Sequence, residues 1–281
     1  MKTLGMLQKI LCALLLCTSL THAKDTLNLA VIPVAGSSSM EAMWKPMAEH
    51  LQKELGMEVN LKFVGDYAAV ITGMQHKHVD IAYFGPESYV QAAQRANAQA
   101  LVTELNDKGV AGYHSIIITK KSSNLTSLES LKGKTWAFTD PNSTSGTLVP
   151  SVYLKKQGIN PQTYFSKVIY SGGHEASILS VKAGRLHAAA TNDLDFQKGI
   201  GRGWQADEFH IIWTSDLIVG AAVAVRGDMP QELKQKIQDA LLGINNNKDL
   251  LKATKLNGFI KAKDSDYNAI RELMQEKNKQ K

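Results

Sequence analysis

Short apolar strands alternate with amphipathic helices along almost the whole chain, and this alternation strongly limits the possible folds. Strands are predicted at 27–33 and 59–64, and each is followed by a helix, at about 40–55 and 67–74. Strands connected through single helices form βαβ units. We therefore predict an α/β protein with mostly parallel sheets, whose ligand lies beyond the carboxyl ends of the strands.

Two apolar segments do not fit a simple βα alternation. The segments 115–119 and 220–225 are interpreted as strands that cross between two halves of the molecule. This interpretation divides the chain into a discontinuous first domain, 24–113 with 217–281, and a second domain, 114–216. The expected architecture is thus two α/β domains joined by short hinges.

The first 23 residues have the composition of a secretory leader. They contain two lysines, an apolar run at 10–16 and small residues before Ala23. We predict cleavage after Ala23 and a periplasmic protein, because the run is too short to span a membrane. Both cysteines lie in this leader, so the mature chain has no thiol. A lipid anchor at Cys17 is less favoured, since no suitable small residue precedes it.

The net charge of +6 falls to +4 when the leader and its two lysines are removed. The remaining lysines are scattered over amphipathic segments or lie in the tail 276–281, which is typical of a solvated surface. Nucleic acid is therefore not an expected partner. We expect a monomer.

Three consecutive hydroxyl residues and a glycine, Ser143-Thr144-Ser145-Gly146, lie between a predicted strand at 134–138 and a predicted helix. The first N–H groups of a helix lack intrahelical partners and carry the positive end of its dipole. A strand, a Ser/Thr/Gly turn and a helix can therefore bind a phosphate-like anion. The alternative is an ordinary helix cap, for which the same residue types are preferred.

His174 directly precedes another predicted helix and could donate to the same anion; the alternative is a plain loop histidine. No metal or cofactor is expected. His76 and His78 have no further ligands nearby in the sequence. The segment Gly133-Lys134-Thr135 lacks the first glycine of a phosphate loop and precedes a strand instead of a helix.

Five segments taken together resemble the periplasmic phosphonate-binding proteins of ABC transporters, and the resemblance extends over nearly the whole mature chain. They are Gly65-Asp66-Tyr67-Ala68-Ala69-Val70, Asp80-Ile81-Ala82-Tyr83-Phe84-Gly85, Asp140-Pro141-Asn142-Ser143-Thr144-Ser145-Gly146, Gly173-His174-Glu175 and Ala190-Thr191-Asn192-Asp193. The resemblance implies the type II periplasmic-binding-protein fold, in which two α/β domains close over a ligand.

The resemblance also implies a ligand site. Ser143, Thr144, Ser145 and His174 would hold the oxygens of a small phosphorus oxyanion, and Tyr67 would close from the other domain. Gly146 completes the serine-threonine motif. Asp195 lies where relatives that bind aminoalkyl phosphonates have an acid for the amine.

Two departures from the family pattern concern the site. Phe84 replaces a frequent tyrosine, and Ala221 replaces a second acid. A buried unpaired ammonium is costly, so we expect phosphite, methylphosphonate or a similar compact ligand to bind at least as well as 2-aminoethylphosphonate. Asp193 or Glu87 could approach an amine instead.

The leading functional hypothesis is a non-catalytic receptor that delivers its ligand to an ABC permease in the inner membrane. An enzyme on the same fold is the second hypothesis, although the mature chain has no cysteine and no evident Ser–His pair. A ligand-sensing subunit of a membrane kinase is the third, and it would share the same ligand site.

Overall fold

The computed structural model describes residues 26–279, so the predicted leader and its cleavage site lie outside the described residues. Thirteen strands occur in this part of the chain. They are β1 Thr26–Val31, β2 Glu58–Phe63, β3 Ile81–Phe84, β4 Ala98–Glu104, β5 Gly112–Tyr113, β6 Ser115–Lys120, β7 Thr135–Phe138, β8 Lys167–Tyr170, β9 Ala188–Asn192, β10 Phe209–Thr214, β11 Ile218–Val219, β12 Ala222–Arg226 and β13 Phe259–Lys261.

The helices connect these strands. They are α1 Ser37–Leu55, α2 Tyr67–Gln75, α3 Pro86–Ala96, α4 Val149–Lys156, α5 Pro161–Tyr164, α6 His174–Lys182, α7 Asp193–Gly199, α8 Gln231–Gly243, α9 Lys248–Thr254 and α10 Asn268–Asn278. A π-helical turn, Thr144–Leu148, leads into α4, and short 3₁₀ segments occupy Lys121–Ser123, Glu129–Leu131, Ala206–Glu208, Ile244–Asn246 and Asp264–Tyr267.

Six strands form the first sheet, in the order β13-β4-β12-β3-β1-β2. β1 pairs in parallel with β2 and β3, as expected for βαβ units. β12 inserts between β3 and β4 and is antiparallel to both. We call this sheet and the helices packed on it the first lobe.

Five strands form the second sheet, in the order β10-β6-β9-β7-β8. β7 is parallel to β8 and β9, whereas β6 is antiparallel to β9 and β10. We call this sheet and its helices the second lobe. The predicted α/β class is confirmed. Each sheet is mixed because the strand that follows each crossing, β6 in the second sheet and β12 in the first, is antiparallel to its neighbours.

The chain crosses between the lobes at two very short strands. β5 and β11 pair antiparallel, with Ile218 opposite Tyr113 and Val219 opposite Gly112. The sequence interpretation assigned the crossings to 115–119 and 220–225, and these positions are wrong: β6 and β12 lie inside the two sheets. Both are continuous apolar runs, as buried strands are, and this pattern does not distinguish a crossing strand from a central one.

Helix α1 illustrates how the sequence determines the packing. Met40, Met43, Trp44, Met47 and Leu51 recur at helical spacing and are all buried against the first sheet. Full burial of an apolar side chain of this size contributes about 1.5–3 kcal/mol. Helix α1 ends at Gly56, which has a left-handed conformation with φ of 63°.

Two further observations concern residues 26–279. None of their helices has both the length and the apolar composition of a membrane span. Their histidines and acidic residues do not gather in groups of three or more that could hold a metal ion.

Candidate functional site

A small cavity, with a volume of about 30 Å³, lies between the two lobes. Tyr67, Tyr83 and Glu104 line it from the first lobe, near the carboxyl ends of strands or the start of a helix. The second lobe contributes a larger polar wall, which consists of Ser143, Thr144, Ser145, His174, Asn192, Asp195 and Lys198. The cavity therefore lies where the alternation of strands and helices predicts a ligand site.

The structure brings together six of the eight residues that the sequence assigned to ligand binding. Ser143, Thr144, Ser145, His174, Tyr67 and Asp195 all line the cavity. Phe84 and Gly146 do not belong to its lining.

Phe84 is fully buried in the core of the first lobe. It pairs with Ala222 across the sheet, and its neighbour Tyr83 lines the cavity instead. Successive side chains of a strand point to opposite faces. A shift of one residue along β3 therefore separates the core phenylalanine from the tyrosine that reaches the cavity.

Gly146 determines the conformation of the turn. A Cβ atom at this position would lie 2.2 Å from Oγ1 and 2.3 Å from Cβ of Thr139, so no larger residue fits without a shift of the backbone. Its N–H donates to Ser143 Oγ at 3.1 Å, and its carbonyl accepts from Thr139 N at 3.0 Å. Gly146 thus holds the serine-threonine turn against strand β7.

The three hydroxyl residues have different surroundings, although all are buried. Ser143 caps the π turn by accepting from Gly146, which leaves its own hydroxyl hydrogen free to donate. Thr144 Oγ1 accepts from Glu87 N of the first lobe at 2.7 Å. The carbonyl of Ser145 accepts from Ser115 Oγ at 2.6 Å, which fixes the turn to the second sheet. Both alternatives for this segment, cap and ligand site, are thus compatible.

Tyr67 provides a buried donor that has no partner. Its side chain is 1% exposed, and its hydroxyl makes no hydrogen bond of normal geometry within the described residues, although the Ser143 hydroxyl is near enough to lower the pKa of Tyr67 slightly. Burial, together with the negative charges of Asp195 and Asp140, raises the pKa of Tyr67, so the hydroxyl remains protonated. Buried polar groups are nearly always satisfied. An unpartnered hydroxyl in a cavity wall therefore indicates a position where a ligand atom can accept.

His174 begins helix α6 and is almost completely buried. Its Nδ1 lies 3.0 Å from Thr191 Oγ1, and its Nε2 lies 4.0 Å from Asp195 Oδ2. Burial lowers the pKa of His174, and this effect outweighs the opposing influence of Asp195. The imidazole is therefore neutral in the ligand-free protein at pH 7.

The loop that carries His174 packs on the first lobe. Glu175 accepts from Gly36 N at 2.5 Å, and its own N–H donates to Val34 O at 3.1 Å. A Cβ atom at Gly173 would lie 2.8 Å from Pro33 O of the first lobe. Glycine is thus required here because the two loops touch through their backbones.

A charged cluster that the sequence did not predict completes the cavity wall. Lys198 Nζ lies 3.0 Å from Glu104 Oε1 and 3.9 Å from Asp195 Oδ1. Tyr83 donates its hydroxyl to the other oxygen of Glu104. Asp195 and Lys198 are three residues apart on α7, so helical spacing could have indicated that they share a face. Glu104 comes from the first lobe and carried no comparable signal.

Glu104 corrects the expectation based on Ala221. Ala221 lines the cavity as predicted, but a second carboxylate is present all the same, because Glu104 is only 1% exposed and lies in the cavity wall. Of the two alternatives for an amine partner, Asp193 accepts from His114 N at 2.9 Å. The carboxylate of Glu87 has a buried oxygen, Oε2, without a hydrogen-bond partner in the described residues, but Glu87 does not line the cavity. The structure therefore contains two candidate acids, both in contact with Lys198.

Comparisons with known proteins agree with a ligand site between the lobes. Residues 29–267 match the model of a family described as the periplasmic substrate-binding protein of the ABC phosphonate transporter. Over 226 residues the chain is 32% identical to the phosphonates-binding periplasmic protein of Escherichia coli K12, which covers 78% of this chain and 67% of that protein.

Two solved structures are similar over most of their length. The binding-protein component of an ABC phosphonate transporter from Pseudomonas aeruginosa superposes with a TM-score of 0.85 at 29% identity, over 90% of this chain and 86% of that one. PhnD1 from Prochlorococcus marinus, solved in complex with methylphosphonate, gives a TM-score of 0.83 at 25% identity, over 91% of this chain and 99% of that one.

Proposed function

Because the chain belongs to the periplasmic substrate-binding proteins of ABC phosphonate transporters, we propose that it captures a small phosphorus oxyanion between its lobes. It then delivers this ligand to a permease in the inner membrane. The fold is that of the type II periplasmic-binding proteins. One observation carries the choice of ligand class: unpartnered or weakly engaged donors converge in one buried cavity, above all the hydroxyl of Tyr67.

The anion would bind mainly to the second lobe. Ser143 and Ser145 present hydroxyls at the π turn that leads into α4, and His174 stands at the first turn of α6. Hydroxyls and the free N–H groups of a helix start suit an oxyanion. Tyr67 adds a donor from the first lobe, so that the ligand would contact both halves.

Contacts with both lobes explain how binding leads to transport. Several interactions cross between the lobes in this structure, among them Thr144 with Glu87, Glu175 with Gly36, and Lys198 with Glu104. A ligand that touches both lobes stabilises the state in which these contacts exist, because it binds that state more tightly. The closed form is then the one presented to the permease.

An enzymatic function receives no support from the arrangement of side chains. In residues 26–279, the partner of His174 Nδ1 is Thr191, and its Nε2 faces Asp195 rather than a serine. Ser143 Oγ accepts from a backbone amide, as a cap does. Nucleophilic catalysis needs a hydroxyl or thiol activated by a base. The hydroxyl beside His174, that of Thr191, is fully buried and does not line the cavity.

The same proposal includes the domain boundaries, the cellular location, the oligomeric state and the residues that contact the ligand. The lobes would act as domains comprising 24–113 with 217–281 and 114–216, and the protein would be a periplasmic monomer released by cleavage after Ala23. The ligand-contacting set would be Ser143, Thr144, Ser145, His174, Tyr67 and Asp195. Phe84 and Gly146 would hold these residues in position without lining the cavity themselves.

Ligand titration tests the proposed function. A ligand that binds only the folded state raises stability by RT ln(1 + [L]/Kd). We expect methylphosphonate or phosphite to raise the unfolding temperature progressively, and to reduce the radius of gyration in solution scattering. A shift with sulfate alone, or with no phosphorus compound, would contradict the proposal. Co-purification with a permease, and not with a membrane kinase, would identify the partner.

A further inference from the structure

Lys198 is a cation enclosed in the cavity wall by two carboxylates from different lobes. Its ammonium forms an ion pair with Glu104 at 3.0 Å and lies 3.9 Å from Asp195, which is on its own helix. The side chain of Lys198 is only 18% exposed, and that of Glu104 is 1% exposed. Such a group is not a solvated surface lysine.

The protonation state of this lysine follows from its neighbours. Burial alone would lower the pKa of Lys198, but the charges of Glu104 and Asp195 together raise it above its ordinary value. Lys198 therefore carries a full positive charge at neutral pH. Within the cavity it compensates one of the two negative charges that surround it.

Both acids already have partners among the side chains of the protein. Glu104 accepts from the hydroxyl of Tyr83 through its second oxygen. Asp195 accepts from Asn192 Nδ2 at 2.8 Å and lies 4.0 Å from the imidazole of His174. A ligand cation entering here would meet Lys198, a like charge, and acids that are already paired.

We propose that Lys198 is a specificity-determining residue: its ammonium occupies the place between Glu104 and Asp195 that a ligand amine would take, and the cavity therefore selects alkyl phosphonates and phosphite over aminoalkyl phosphonates. This inference rests on the proposed function and names the ligand class within it. It replaces the argument from Ala221, since the second acid is present in the form of Glu104 but is engaged.

The same geometry explains why the preference depends on one residue. Removal of the Lys198 charge would leave two carboxylates in a buried cavity without a compensating cation. Uncompensated buried charges are costly. A ligand that brings its own ammonium would then supply what the side chain had supplied, whereas a ligand without an amine would not.

Two ligands that differ only in the amine test this proposal. Ethylphosphonate and 2-aminoethylphosphonate are titrated by calorimetry into the wild type, Lys198→Ala and a control, Lys252→Ala, whose side chain is exposed on α9. We expect the wild type and the control to bind ethylphosphonate at least tenfold more tightly. In Lys198→Ala the ratio of the two affinities should shift by at least tenfold toward the amine.

A double variant, Lys198→Ala with Glu104→Gln, distinguishes the effect of the unpaired negative charge from the effect of the added space. It keeps the room opened by the alanine but removes one acid, so the shift toward 2-aminoethylphosphonate should largely disappear. The unfolding temperature of each ligand-free variant shows that it is folded.

Several results would overturn the inference. One is tighter binding of 2-aminoethylphosphonate than of ethylphosphonate by the wild type, which can be measured without any variant. Another is an unchanged affinity ratio in a folded Lys198→Ala protein. A third is loss of both ligands in that protein, which would make Lys198 a direct ligand of the anion. If no phosphorus compound binds the wild type, the proposed function itself fails, and this result is distinct from the other three.

Discussion

The hydroxyl oxygen of Thr144 lies 2.7 Å from the backbone nitrogen of Glu87, and this hydrogen bond connects the π turn of the second lobe to the first turn of α3 in the first lobe. Both residues are buried. The interaction therefore exists only when the lobes are together.

Replacement of Thr144 by valine should weaken ligand binding by about fivefold or more. Valine preserves the shape but cannot accept, and a buried N–H left without a partner costs about 1–3 kcal/mol in the closed state. Thr144→Ser keeps the acceptor and should bind nearly as the wild type does. Calorimetric affinities that are equal for Thr144→Val and the wild type would show that this contact does not support closure.

Ser143→Ala and Ser145→Ala should each weaken binding roughly ten- to a hundredfold. Each variant removes a hydroxyl that would face a charged oxygen of the proposed ligand, and hydrogen bonds to charged groups are worth about 1.5–3 kcal/mol. Ser143→Ala should also lower stability by about 1 kcal/mol, since Ser143 caps the turn through Gly146. Ser122→Ala, on the exposed surface, is the matched control. Unchanged affinity in both cavity variants would reduce this segment to a cap.

Tyr67→Phe should change affinity and stability in different ways. The ligand would lose a donor, so binding should weaken by about tenfold. The ligand-free protein should not lose stability, because the deleted hydroxyl has no partner there. Tyr164→Phe offers the reverse case: it removes a hydrogen bond to Leu128 O at 3.1 Å, far from the cavity. Denaturant unfolding together with calorimetry compares the two; equal losses of stability would contradict the role of Tyr67.

His174 should make binding depend on pH. Its pKa is lowered by burial when the lobes are together, and a bound oxyanion would raise it by stabilising the imidazolium. Between the two pKa values binding should take up a proton, so affinity should fall as the pH rises through the pKa of the complex. Calorimetry in buffers of different ionisation enthalpy measures this uptake. His174→Asn corrects for protonation of the ligand itself and should take up less than the wild type.

Glu87 should make the stability of the ligand-free protein depend on pH. Burial raises the pKa of its carboxyl group from 4.5 to about 7. The folded state then binds more protons than the unfolded state between these values, so the free energy of unfolding should decrease as the pH rises from about 4.5 to 7. The upper limit of this loss is about 3 kcal/mol, at about 1.4 kcal/mol per pKa unit.

Glu87→Gln should remove that contribution. The variant is expected to be more stable than the wild type at pH 8 and similar to it near pH 4.5, because glutamine is neutral throughout. Its amide can replace the protonated acid without a change in volume. Urea unfolding at both pH values provides the comparison, and a variant that is equally destabilised at both would contradict a titrating Glu87.

The sequence predicted those parts of the fold that depend on local periodicity. The first strands and helices agree closely with the structure: α2 was expected at 67–74 and spans Tyr67–Gln75. The crossings were misplaced because β5 and β11 contain two residues each. A strand of two residues has no pattern to recognise, whereas β6 and β12 are continuous apolar runs and were interpreted as the crossings instead.

The candidate site was predictable where its residues form a contiguous motif, and Tyr67, His174 and Asp195 were assigned to it through the family resemblance. Ser143, Thr144 and Ser145 form one visible motif at a helix start. The charged cluster was missed because it is assembled by the approach of the lobes: Glu104 and Lys198 are 94 residues apart. Neither residue belongs to a motif, and an acid at a strand end and a lysine on an amphipathic helix both suit an ordinary surface.

Helix α10 connects the lobes without lining the cavity. It packs against α3 of the first lobe and α4 of the second, and Lys155 Nζ donates to Glu276 O at 3.2 Å. When the lobes separate, this helix must release one of its two neighbours. Part of the free energy of opening therefore depends on side chains that do not contact the ligand. The apparent dissociation constant depends in turn on the fraction of molecules that are already closed. Substitutions along α10 could thus tune the sensitivity of uptake to scarce nutrient without any change to the recognition chemistry.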